Sequence, residues 1–368
     1  MVTRRNALIL GLAGPLLAAC GGGGSDGPRD GEDVIRTPIP SDDWPTGTPE
    51  SQSISAASVN AMMASADKLP ALRSMLVVRN GVLVAERYFN DAHASDLQHV
   101  RSATKTVSSL LIGQAIEDGK IRSVSATLRE LLPAELAKVP NSVAGDITLR
   151  QVLQMRSGLR FDDAASWDIL FTSPNLARVA LGLPVTGRNA WNYDSATSHL
   201  PSLILATAYG EANALDVATR KLFAPLGIKE VAWSHDASGA THGSFGLQIR
   251  SRDMAKIGWM ALDSGRWQGR SIISPDWLAE SMTDHASVGT HGAMVKMGYG
   301  YLWWSGNLSG HRFWTAWGHG GQFILLVPGL KMVVITTSDW KVSSTSGYNN
   351  ALAAAGIIAE FLATLAPL

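Results

Sequence analysis

The chain has 368 residues, with 31 basic and 31 acidic side chains and a formal net charge of zero. It is long enough for one large or two ordinary domains. With no basic stripe and its 12 tryptophans scattered, nothing in it suggests a nucleic-acid partner. The single cysteine, Cys20, excludes an internal disulfide and any cysteine-based metal site or catalysis in the folded body.

Arg4 and Arg5 precede an apolar run from Ala7 to Ala19, the layout of a secretory signal and too short to span a membrane. The arginine pair fits a twin-arginine signal only loosely, so an ordinary charged leader is the preferred reading. Leu17-Ala18-Ala19-Cys20 resembles a bacterial lipoprotein cleavage box. That resemblance implies export, lipidation of Cys20, and a place at the periplasmic face of a membrane or at the cell surface. Contact with the membrane would be through this anchor alone. Residues 21–50, rich in Gly, Pro and Asp, read as a flexible tether, and residues 51–368 as the folded domain.

Ser55 to Lys68 predicts a helix with Ser55 as a possible N-cap. Met75–Val78 and Val82–Val84 predict two strands, joined by the hairpin signal Asn80-Gly81. Residues 98–250 read as a mainly helical lobe, with helices over Val100–Gly119, Leu149–Met155, His199–Tyr209 and Ala212–Leu222. Further helices are predicted from Ser251 to Leu262 and from Ser274 to Met282. Strand-like runs return at Tyr299–Trp304, Arg312–Trp317, Gln322–Val327 and Met332–Thr337, before a final helix over Gly347–Leu365. The expected fold is α+β. An antiparallel sheet flanked by N- and C-terminal helices (residues 51–97 and 251–368) would hold the helical lobe as an insertion, with the substrate cleft between the two.

Ser102-Ala103-Thr104-Lys105 places a serine and a lysine three apart at the entry to an apolar helix, where both occupy one face. The same spacing at Ser65/Lys68 reads as a helix end, and at Ser338/Lys341 as a turn leaving a strand. Tyr193, in the polar loop Trp191–Ser198, is the candidate general base; a phenol near the Lys105 ammonium would have its anionic form favoured. Tyr348-Asn349-Asn350 looks alike but reads as helix capping. Gly318-His319-Gly320-Gly321-Gln322 runs into a strand, and its glycines allow close approach of a ligand to the backbone. The backbone amides of Ser102 and Gln322 are the candidate oxyanion donors.

The order Ser-x-x-Lys, Tyr-x-Ser, His-Gly-Gly resembles the serine β-lactamase and penicillin-binding-protein superfamily, in particular its class C-like esterases and 6-aminohexanoate-dimer hydrolases. The resemblance runs from about Ser55 onward and includes Ile147–Leu159 and Gly298–Trp304. It implies Ser102 as acylated nucleophile, Lys105 and Tyr193 as its activating pair, and Ser195, His319, Gly320 and Gly321 as substrate contacts, with no metal or organic cofactor. Two departures shift the expectation from a dedicated β-lactamase toward hydrolysis of a small ester or amide. Ser195 replaces the usual asparagine, and His319 replaces a permanent lysine cation. A β-lactamase or D-amino-acid peptidase, and a catalytically silent cell-wall-peptide or partner-binding protein on the same fold, are the competing readings.

Overall fold

The computed structural model describes residues 31–35, 44–163 and 165–366. The stretch expected to be a lipoprotein-type leader, with Cys20, lies outside them. An eight-stranded antiparallel sheet organises the molecule, built from β1 (Leu72–Arg79), β2 (Val82–Tyr88), β3 (Ala286–His291), β4 (Met294–Tyr299), β5 (Trp304–Leu308), β6 (His311–Gly318), β7 (Gln322–Val327) and β8 (Met332–Ser338). Their spatial order is β2-β1-β8-β7-β6-β5-β4-β3. The central strands β7 and β8 are buried along their whole length, which is why their sequences are almost continuously apolar rather than alternating.

The hairpin between β1 and β2 forms where Asn80-Gly81 predicts it. Both residues take positive φ (52° and 79°), as a tight hairpin turn requires. On one face of the sheet, α1 (Ala56–Ala66) packs beside α5 (Ser344–Leu362), so both ends of the domain cover the same apolar surface. On the other face lies α4 (Ser251–Leu262), whose Gly258 lets the helix settle onto the sheet. A Cβ at Gly258 would stand 2.7 Å from Val333 and 2.8 Å from Ile324. Arg250 takes the cap position of this helix, and the Ser251 hydroxyl hydrogen-bonds that of Ser74.

The helical part carries α2 (Thr104–Glu117) and α3 (Leu200–Tyr209), which pack on each other. From Thr104 to Ala115 every residue of α2 is buried, so this helix is the axis of the domain rather than an amphipathic surface element.

Several expectations are revised. Tyr299–Trp304 is not one strand: Tyr299 ends β4, Trp304 begins β5, and residues 300–303 form the junction between them. Tyr301 N–H bonds the Ser281 carbonyl, Leu302 N–H bonds the Leu153 carbonyl, and Leu302 takes φ 61°. The β3–β4 hairpin leaves little trace in the sequence because its strands are short, glycine-interrupted and irregular in register. The 98–250 lobe is mainly helical as expected but also carries a small antiparallel sheet, formed by Gln98–His99, Val231–His235 and Leu247–Ile249. Gly31–Ile35 adds a fourth strand to it. The stretch expected to be a tether therefore meets the folded body. Trp44 is buried against the Trp267 ring at 5.1 Å, and Leu83 N–H bonds the Pro45 carbonyl at 2.8 Å.

Candidate active site

Ser102 lies in the short turn Arg101–Ala103 that feeds directly into α2. Lys105, one turn on, is 1% exposed, and its Nζ makes three contacts at 3.0 Å: Ser102 Oγ, Ser195 Oγ and the Ser244 carbonyl. The helix aligns lysine with serine, and the loop after Tyr193 brings Ser195 to the same nitrogen. Tyr193 projects from that loop, with its hydroxyl hydrogen-bonded to Ser102 and its ring centroid 4.9 Å from Lys105 Nζ. Three groups far apart in sequence therefore meet around one hydroxyl.

Burial decides the electrostatics. Lys105 is lowered to about 8 by loss of hydration and, in smaller part, by the nearby Arg101 charge, although Asp163 and Asp194 pull the other way. Tyr193 moves upward, because burial and the same two carboxylates outweigh its bond to Ser102 and the pull of Arg101. The expectation of a favoured phenolate is thus reversed: Tyr193 is a neutral phenol, and the group brought within reach of its free-base form is Lys105. Burial also raises Asp194 to about 7.

Asp163, which sequence reading did not single out, fixes Ser195. One carboxylate oxygen accepts the Ser195 N–H at 2.8 Å and the other accepts its hydroxyl proton at 2.6 Å. With its proton committed to Asp163, Ser195 Oγ can only accept from Lys105.

These groups open onto a cavity of about 320 Å³. One wall is aromatic and apolar, with Trp167, Leu170 and Phe171 from the segment before Tyr193 and Phe245 from the loop that follows the strand Val231–His235. The opposite wall comes from Trp304, Trp317 and the start of α5. Tyr348 belongs to this second wall: its hydroxyl lies 3.0 Å from His291 Nδ1, so it is not merely part of a helix cap. His319 lines the cavity and rests on Gly347, where a Cβ would come within 2.0 Å of its ring. His319 Nε2 is 3.1 Å from the Val342 carbonyl and so carries the proton, while burial lowers the pKa of the ring, which is neutral at pH 7.

Gly320, Gly321 and Gln322 stand elsewhere. The two glycines, at φ 89° and 94°, turn the chain from β6 into β7. Gln322 lies one strand further in, completely buried, with its side chain bonded to the Ser338 amide and carbonyl and the His319 carbonyl. The backbone that does line the cavity is the end of β6, where Gly318 passes so close to the Val100 carbonyl that a Cβ would sit 2.1 Å from it.

A buried amine bonded to a hydroxyl, at the seam of a large antiparallel sheet and a helical lobe, defines a β-lactamase-fold serine hydrolase. The Beta-lactamase family profile matches residues 63–357, and the chain belongs to that family. It is 25% identical over 295 residues to the 6-aminohexanoate-dimer hydrolase of Paenarthrobacter ureafaciens, covering 73% of this chain and 72% of that one. Among solved structures it is similar to a Bacillus anthracis protein provisionally assigned as a 6-aminohexanoate-dimer hydrolase (TM-score 0.71, 17% identity, 91% of this chain and 92% of the other). It is also similar to a D-stereospecific amidohydrolase from a Streptomyces species (TM-score 0.60, 18% identity, 84% and 99%).

Proposed function

We propose that the protein cleaves a small ester or amide through an acyl-enzyme on Ser102. The observation that carries this reading is the set of contacts at Lys105 Nζ. A neutral amine has two hydrogens and one lone pair. The Ser244 carbonyl and Ser195 Oγ, whose own proton is given to Asp163, both require a hydrogen from Lys105. The lone pair is left facing the Ser102 hydroxyl at 3.0 Å. With Lys105 near 8, roughly a tenth of molecules hold the amine at pH 7.

Lys105 takes the Ser102 proton as Oγ attacks the substrate carbonyl. The neutral Tyr193 phenol gives its proton to the departing alkoxide or amine and regains one from the Lys105 ammonium. Water then repeats the sequence: Lys105 takes its proton, the acid leaves, and Ser102 is restored. The developing oxyanion would be held by the Ser102 amide and by an amide of the Trp317–Gly318 strand end beside it, in place of Gln322, which is one strand too deep. Replacing Ser102 with alanine should lower turnover of a short-chain p-nitrophenyl ester by on the order of a thousandfold or more while leaving the melting temperature close to wild type. Retained turnover removes the assignment.

Export and lipid anchoring through Cys20 belong to the same reading and rest on the leader sequence alone.

A further inference from the structure

Arg101, immediately before Ser102, is 3% exposed yet lines the cavity. Its guanidinium lies 4.8 Å from the Trp167 ring, 5.1 Å from Phe171 and 5.4 Å from Trp340, and among the described residues it has no carboxylate partner. Asp163, the one carboxylate among the described lining residues, spends both oxygens on Ser195. No other arginine or lysine appears among the described lining residues, and His319 is uncharged at neutral pH. A buried cation without a counter-ion is costly, and the rings offset only part of that cost. Arg101 is also held at φ 51°, a left-handed conformation that costs a non-glycine residue energy.

We propose that Arg101 is an anion subsite and that the substrate is a carboxylate-bearing ester or amide, its charge pairing with the guanidinium while its apolar portion lies along the Trp167–Phe171 wall. This deepens the acyl-enzyme reading and rests on it. Rings alone do not fix the orientation of a ligand; a planar fork matched to a carboxylate does. A substrate anion would supply the missing counter-charge next to the nucleophile, drawing the reactive carbonyl toward Ser102.

The test is competitive inhibition of p-nitrophenyl butyrate hydrolysis by four- to eight-carbon carboxylates, each compared with the carboxamide of equal length. The best carboxylate should bind wild type at least tenfold more tightly than its amide, as expected of a desolvated charge-assisted pair. Arg101→Gln and Arg101→Met should both erase that ratio. Equal inhibition by acids and amides in wild type, which needs no variant to fold, overturns the proposal, as does a ratio that survives both substitutions. If the reporter ester is not hydrolysed, or is hydrolysed equally by Ser102→Ala protein, the acyl-enzyme reading fails instead. The acid-to-amide ratio is then read by calorimetry on the same protein, with the same two outcomes.

Discussion

At Lys105 burial and charge oppose each other, and burial wins: two nearby carboxylates do not restore what lost hydration removes, and the amine reaches about 8. The sign of the pH dependence follows. A base must be unprotonated to act, so kcat/KM for a neutral ester should rise about tenfold per pH unit below 8 and level off above it. A flat profile between pH 6 and 9 would dismiss Lys105 as the base. Asp163 acts through Ser195 and through its charge, which favours the ammonium, so it is a positioning residue. Asp163→Asn should lower kcat and move the rising limb to lower pH, whereas a merely structural loss would leave the limb in place. The Ser102–Lys105 pair was legible because both sit on one helical turn. Asp163 was not, because it meets Ser195 from 32 positions away across an irregular loop. The protonation of Tyr193 was misread because sequence shows which charges could be near a phenol, but not how completely water is removed from it.

Elements, more than single contacts, hold this geometry. α2 is enclosed on all sides and α4 is pressed onto β7 and β8, so the nucleophile turn is anchored in a stiff frame. Gly258→Ala tests that frame. Helix propensity alone would favour alanine by about 1 kcal/mol, but its methyl meets the β-branched Val333 and Ile324 of the central strands. A net loss of about 1–2 kcal/mol in unfolding free energy is expected from denaturant titration, since overpacking costs about 1–3 kcal/mol; stabilisation would mean that the contact can relax. The central strands and the Asn80-Gly81 hairpin were plain in the sequence because burial and turn chemistry leave local marks there. The β3–β4 hairpin was not, because a glycine in each strand and shifts in register blur its alternation, and the small sheet was not, because short strands whose partners lie far along the chain carry almost no local pattern.

For the molecule as a whole, the sheet and the helical lobe are arranged so that each contributes part of the cavity, and neither alone would assemble the site. If Cys20 anchors the chain as its leader suggests, Cys20→Ser should move the protein from the membrane fraction to the soluble exported fraction with its specific activity unchanged; fractionation with the membrane regardless would discard the anchor. The α+β architecture with a helical insertion was readable from the order of patterns along the chain, whereas the ordered stretch before residue 51 was not, since Trp44 lies among turn-forming residues. The most direct test of the acyl-enzyme is intact-protein mass spectrometry after exposure to a fluorophosphonate, followed by peptide mapping. One adduct per chain on the peptide containing Ser102, absent from Ser102→Ala protein, is the expected result. No adduct, or one that persists after that substitution, would contradict it.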